Sequence, residues 1–291
     1  MSNVAVIANT QKIVKKDARR LRSALTAADL NARWYEIEKG SASKSAAKQA
    51  LKRGATTIVV CGGDGSVRAA AEAIVGTQTA LAVVPSGTAN LFASGLELPT
   101  DIDEIVEVIA RGDRRTIDTA VCNGMTFNVM AGSGFDVGML TDAEESKERL
   151  GTFAYVGAAV RETRHRKMFD TKITVDDEVF YEGPASCVLV GNTGSLKGGV
   201  EAFPGATFTD GRLHVAAVTA TGMREWANLM LTAVLRKQQW SGHTEIGEGT
   251  SITVKFDRKR RFELDGGVKG KAKELEFEIK PRSLVICAPS T

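Results

Sequence analysis

The chain has 291 residues, 43% of them hydrophobic and 25% charged, with a formal net charge of +3. This is the composition of a globular protein, and the length exceeds what one ordinary hydrophobic core fills, so two domains are expected. The small net charge gives no reason to expect nucleic acid as a partner. No run approaches the ~20 apolar residues of a membrane-spanning helix.

Residues 4–9, "VAVIAN", read as a buried strand, 15–28 as a helix, 32–37 as a strand and 43–53 as a helix. "TTIVVCG" is a strand, 66–75 a helix and 80–87, "ALAVVPSG", a strand. A helix follows over 98–112, with Thr100 as its expected cap, Asp101, Asp103 and Glu104 in its first turn and Gly112 as its stop. Short apolar strands alternating with helices predict a parallel sheet covered on both faces, which binds ligands at the carboxyl ends of its strands. After residue 113 the pattern changes. Residues 115–134 read as a hairpin turning at Asn123-Gly124, and one helical stretch follows over about 142–166. Strands flank an Asp176-Asp177 turn; then come "GRLHVAAV", a helix over about 222–236, and the strands "SITVKF", "RFELDGG", "ELEFEI" and "SLVICAP". The predicted architecture is α/β first and mostly β second.

The cysteines at 61, 122, 187 and 287 lie far apart in apolar runs, which reads as buried free thiols in a reducing compartment. The histidines at 165, 214 and 243 lack metal-ligand spacing. "MSNVAVIANT" reads as a strand rather than a signal peptide, so the expected location is the cytoplasm. Two basic runs, "RETRHRK" (161–167) and "DRKRR" (257–261), read first as solvated faces; together they leave room for an anionic membrane surface, that is, peripheral attachment to its inner face.

The candidate site begins at "VVCGGDGSV" (59–67), where a strand ends in Gly62-Gly63-Asp64-Gly65-Ser66. Glycines at 62, 63 and 65 let backbone N–H groups approach an anion, the next helix adds its positive end, and Ser66 suits its N-cap. The lysine of a GxxxxGK[ST] loop is missing. A carboxylate among phosphates fits if a Mg²⁺ ion lies between them; the alternative is a tight turn in which Asp64 bonds its own backbone. A second polar loop, "VVPSGTANLFA" (83–93), leaves a strand at the same end of the sheet, with Gly87, Thr88 and Asn90 in it.

GGDG followed by PSGTAN resembles the diacylglycerol kinase catalytic-domain family, which includes bacterial lipid kinases and sphingosine and ceramide kinases. The resemblance continues in order through "IDTAVCNGMTFNVMAGSGFDVGM", "KERLGTFAY", "FPGATFTDGRLHV" and "FELDGG…LVICAP", and so spans the chain. GGDG alone is shared with NAD kinases and phosphofructokinases. The resemblance implies an α/β nucleotide-binding domain over 1–118, joined by about 281–291, and a β-sandwich lipid-substrate domain over 119–280. It implies transfer of the ATP γ-phosphate to a lipid hydroxyl met at a membrane surface. Asn9, Gly62, Gly63, Asp64, Gly65, Ser66, Gly87, Thr88 and Asn90 would bind nucleotide, Asp64 and Asp118 would take part in a Mg²⁺ network, and Asp265 would be the general base.

Asp265 sits where "FELDGG" alternates like a strand and then meets glycine, so its bland reading is a hairpin Asp-Gly turn. The apolar residues Phe127, Met130, Phe135, Met139 and Leu140 are candidates for an acyl-chain wall, with ordinary core as the plainer reading of each. Four departures from the family pattern stand out. Thr10-Gln11-Lys12 follow Asn9, Leu91 stands where an aspartate is frequent, Gly267 replaces a glutamate, and Gly205 replaces an acid near Asp210, a weak candidate for a structural metal ligand. They keep two alternatives in view: a soluble-substrate kinase of the NAD kinase type, and a non-catalytic nucleotide- or lipid-binding protein. A homodimer built on β edges is left open.

Overall fold

The computed structural model describes residues 3–134, 168–196, 200–234 and 242–289. The chain divides into two compact units, residues 1–119 with 280–291, and residues 120–279.

The first unit is built on parallel strands β1 (Val4–Asn9), β2 (Ala32–Ile37), β3 (Thr57–Gly62) and β4 (Ala80–Pro85), in the order β4-β3-β1-β2. Strand alternation divides the apolar residues between two faces. Val4, Val6, Ala8, Val59, Cys61, Ala82 and Val84 pack with helices α1 (Lys15–Ala27) and α5 (Ile102–Arg111) through Leu21, Leu25, Ile105 and Ile109. On α2 (Ser43–Lys52) and α3 (Asp64–Ile74), which lie against each other, the buried residues are mostly alanines: Ala46, Ala47, Ala50 and Ala69 to Ala71. Side chains this small let the two helices approach closely. A short α4 (Leu91–Gly95) follows β4. Helix α5 is capped by Asp101 rather than the expected Thr100: its carboxylate accepts the N–H groups of Asp103 (2.9 Å) and Glu104 (3.4 Å), while Gly112 ends the helix at φ 77°.

Strand β5 (Arg114–Cys122) carries the chain into the second unit, and the end of the last strand returns to the first, Ile286 pairing in parallel with Leu81. The Asn123-Gly124 turn forms as predicted, φ being 47° and 77°. It leads to β6 (Met125–Phe127) and β7 (Met130–Ser133). The unit continues with β8 (Phe169–Val175), β9 (Glu178–Ala185), β10 (Cys187–Gly191), β11 (Ser195–Leu196), β12 (Val200–Glu201), β13 (Leu213–Val218), α6 (Met223–Val234), β14 (Thr244–Gly249), β15 (Ser251–Leu264) and β16 (Gly267–Cys287). The four expected C-terminal strands are thus two long ones. An antiparallel ladder joins them, interrupted by a bulge: Lys255 pairs with Glu274 and Arg260 with Ala272. Before the bulge β15 pairs with β8, and after it with β7, so one strand serves two layers. Ile173, Val254 and Phe256 then meet Val188, Val215 and Leu264 in the core. The predicted helix at 142–166 and the basic run 161–167 lie outside the described residues.

Candidate phosphate and acceptor sites

Both glycine loops leave the carboxyl ends of adjacent strands, β3 and β4, and they touch. A Cβ built on Gly87 would sit 2.5 Å from the Gly63 Cα and one on Gly63 would sit 3.0 Å from the Gly87 Cα, so only glycine permits this approach. Ser86 N–H donates to the Gly62 carbonyl at 3.1 Å, and Asn90, at φ 49°, closes its own loop in both directions, accepting from Gly87 N and donating to Gly87 O. Asn90 therefore shapes the loop. Thr88 is exposed on it.

Helix α3 starts two residues earlier than its apolar pattern indicates, with Gly63 as N-cap. Ser66 is consequently inside the first turn and buried, not the cap; its hydroxyl accepts from Asn9 Nδ2 at 3.3 Å. Asn9 also accepts Gln11 N–H at 3.1 Å, which folds the loop after β1. Gly62 has no room for a side chain, since a Cβ there would lie 2.7 Å from Ser66 Oγ. At Gly65 a Cβ would meet nothing within 4 Å, and the residue is exposed. The structure thus brings Asn9, Gly62, Gly63, Asp64, Gly65, Ser66, Gly87, Thr88 and Asn90 to one end of one sheet, beside the amino end of a helix, the geometry of an anion site.

Asp64 does something neither sequence reading foresaw: its Oδ1 accepts Phe92 N–H at 3.0 Å, tying the first loop to the second. Burial pushes its carboxyl up from the ordinary range, against the opposing pull of the main-chain N–H groups of Phe92, Leu91 and Asn90. Leu91 itself is buried, so the position where an acid is frequent belongs here to the core.

Asp118 is not part of this cluster. It is buried and accepts Arg282 N–H at 2.7 Å, next to Ser283, whose carbonyl accepts Gly76 N–H at 2.7 Å. Gly76 precedes β4, so the segment that Asp118 holds lies near the amino end of that strand. It braces the returning C-terminal segment. Asp210 in the second unit is likewise occupied: it accepts Thr207 N–H (2.8 Å) and Arg212 N–H (2.9 Å) and bonds His214 Nε2 (3.1 Å). Among the described residues no group of three His, Cys, Asp or Glu could hold a metal.

Asp265 occupies the β15–β16 turn, with φ 47° there and 73° at Gly266, so the hairpin geometry is real. Its carboxylate is nevertheless buried and oriented by three main-chain amides, Asn128 N–H on Oδ2 (2.9 Å) and Val129 and Met130 N–H on Oδ1 (2.8 and 3.1 Å). Two buried asparagines that sequence reasoning passed over complete this region: Asn192 Nδ2 donates to the Asn128 carbonyl at 2.9 Å. The only signal for Asn128 was its place in the "TFNVM" segment. Phe127, which packs edge-on against Phe277 at 6.0 Å, and Met130 are buried; Phe135, Met139 and Leu140 lie outside the described residues.

Glycine loops at the carboxyl ends of a parallel sheet, followed by a mostly β unit, define the class: an α/β domain joined to a β-sandwich domain. Comparison with known proteins makes the assignment narrower. The diacylglycerol kinase catalytic domain matches residues 3–122 and the YegS C-terminal NAD kinase beta sandwich-like domain matches residues 129–288. The chain belongs to this lipid kinase family. It is 30% identical over 275 residues to a Synechocystis protein, covering 92% of this chain and 63% of that one. It is 28% identical to a diacylglycerol kinase of Staphylococcus saprophyticus (81% of this chain, 78% of the relative) and 27% identical to the "Probable lipid kinase YegS" of Escherichia coli (85% and 82%). In fold it resembles a diacylglycerol kinase from Bacillus anthracis (TM-score 0.78, 22% identity, 99% of this chain and 97% of that one). A more distant likeness is the Archaeoglobus fulgidus NAD kinase solved with ATP (TM-score 0.56, 12% identity, 98% and 93%).

Proposed function

We propose that the protein is an ATP- and Mg²⁺-dependent lipid kinase that moves the γ-phosphate onto a lipid hydroxyl. The observation that carries this reading is the contact of the two glycine loops at the carboxyl ends of β3 and β4, beside the amino end of α3, in a chain whose relatives are named diacylglycerol kinase and lipid kinase. Backbone N–H groups of Gly63 and Gly65 bind the phosphates, and the amino end of α3 favours their charge. Asn9, Ser66 and Asn90 hold the loops in shape. Asp64 is the loop's one carboxylate and fits a divalent ion shared with the phosphates, because Mg²⁺ binds through one or two carboxylates plus substrate oxygens and needs no larger acidic cluster. When bound, that ion neutralises charge developing on the phosphoryl oxygens.

In the second unit Asp265 accepts the proton of the acceptor hydroxyl. The alcohol oxygen then forms its bond to the γ-phosphorus, the bond from that phosphorus to the bridging oxygen breaks, and ADP leaves with the electron pair. Three main-chain amides aim the Asp265 carboxylate, so little reorientation accompanies the step.

The test supplies ATP labelled at the γ-phosphate with dispersed diacylglycerol, a sphingoid base or ceramide, in Mg²⁺ or in EDTA. Label extracted with lipid, in Mg²⁺ alone, is the expected result. ATP turnover with label only in water-soluble product would overturn the lipid acceptor, and absence of ATP binding would overturn the whole reading.

A further inference from the structure

Charge is distributed unevenly along the β15–β16 hairpin. Before the bulge the cross-strand pairs follow the ordinary rule: Lys255 faces Glu274 in register and bonds it at 3.1 Å, while Glu276 and Glu278 stand opposite Thr253 and Ser251. Beyond the bulge the rule reverses. From Asp257 to Lys273 there are seven Lys and Arg residues against three acids, a formal charge of +4, which exceeds the +3 of the whole chain and leaves −1 for everything else. Two of those acids, Glu263 and Asp265, are buried. The third, Asp257, accepts from Arg260 Nε and Nη2 at 3.3 and 3.2 Å. Arg260 is turned inward and lies 3.9 Å above the Phe169 ring, so it fastens the bulge to the core. Arg258 and Lys259 project from the fastened bulge, Arg258 being 68% exposed. Arg261 stands directly opposite Lys271, a like-charge pair that a ladder disfavours, and Lys273 follows on the same face as Lys271. Apart from a 3.9 Å approach of Arg258 to Asp257, these five exposed cations have no ion pair among the described residues.

We propose that this distal hairpin is the surface by which the protein docks on an anionic lipid bilayer. The inference deepens the lipid kinase reading and rests on it, since a bilayer is where a water-insoluble acceptor is met. The chemistry of the patch selects the partner. Its exposed groups are cations on long, flexible stems, suited to a diffuse layer of headgroups. The one aromatic residue of the segment, Phe262, is buried, and Phe169 of β8 lies under Arg260, so neither offers a stacking platform for nucleic-acid bases. Val268, 52% exposed near the turn, adds an apolar side chain beside the cations.

The test is co-sedimentation of the whole protein with phosphatidylcholine vesicles, with and without phosphatidylglycerol. Binding is expected only to the anionic vesicles and is expected to weaken with salt. The triple variant Arg261→Ser, Lys271→Ser, Lys273→Ser should lose roughly fivefold per charge, on the order of 10² in partition. Its melting temperature should hold or rise, because the opposed pair is relieved; Lys273→Ser alone, read the same way, stands in if the triple variant does not fold. Equal binding to both vesicle types, or an unchanged partition of the variants, overturns the proposal, as does tighter binding to single-stranded DNA than to anionic vesicles. Phosphoryl transfer to acceptor dispersed in detergent should be the same in the triple variant. If the native protein transfers nothing in either format while its vesicle binding behaves as stated, the kinase reading falls and the docking surface stands.

Discussion

Gly65→Val separates the fold of the glycine loop from its use. A Cβ at Gly65 meets no atom within 4 Å, and the residue lies in the first turn of α3, so the protein has room for the larger side chain. Replacing glycine inside a helix also recovers backbone entropy. The gain is about 0.5–1 kcal/mol for alanine and somewhat less for valine, whose branched Cβ loses rotamer freedom. For a chain of this size about 1 kcal/mol moves a melting temperature by about 2–4 °C, so Gly65→Ala should melt slightly higher than the native protein and Gly65→Val no lower. ATP affinity should move the other way. A branched side chain on the exposed first turn of α3 keeps the phosphates off the backbone, and each charge-assisted hydrogen bond lost is worth roughly 1.5–3 kcal/mol, or about 10- to 150-fold. The assay pairs calorimetric titration of ATP with thermal melts of the native and substituted proteins. A folded Gly65→Val protein that binds ATP with native affinity would refute the phosphate-loop assignment. The contrast is Gly87→Ala, whose Cβ would sit 2.5 Å from the Gly63 Cα and which should cost stability and affinity together.

Asp265→Asn should lower lipid phosphorylation by roughly 10²–10⁴ with ATP affinity retained. On sequence grounds that substitution preserves hydrogen bonding; the structure corrects this, because the amide NH₂ would face one of the N–H groups that the carboxylate accepts, costing about 1–3 kcal/mol of stability as well. A native rate in the variant would return Asp265 to the role of turn former. Asp64→Asn should remove Mg²⁺-dependent turnover yet raise the melting temperature at neutral pH and not in acid. Burial raises the Asp64 pKa, so its contribution to stability is present below the unfolded value and lost as pH rises through the folded one. A thiol reagent should label none of the four cysteines in the folded protein and all four on unfolding, because all are buried and burial pushes Cys61 and Cys122 up to about 12 and Cys287 up to about 11.

Much of the architecture was legible from local pattern. Short apolar runs and period-3.6 patterns located β1 to β4 and α1 to α3 to within about two residues, because each is a short segment whose apolar residues match its own geometry; α5 begins four residues later than expected, and the short α4 was not expected. The Asn123-Gly124 and Asp176-Asp177 turns followed from residues that tolerate positive φ. Errors arose where two local signals competed. Thr100 and Asp101 both suit a cap, and only the reach of the Asp101 carboxylate to two amides decided between them. The polar bulge at 257–259 looked like a break between strands, whereas pairing with β16 on either side carries β15 through it.

The sequence by itself determined the order of elements, the family, and which residue types could meet a phosphate, because these depend on composition and spacing along one chain. Only the tertiary structure decided what each acid does. Asp64, Asp118, Asp210 and Asp265 are alike as letters, each an acid beside glycine or in a strand. Asp210 is met by amides of its own turn, whereas the amides bonded to the other three come from segments far away in the chain: Phe92 for Asp64, Arg282 for Asp118 and residues 128–130 for Asp265. A carboxylate's work is set by the donors around it, and folding brings those donors from positions that no local spacing records.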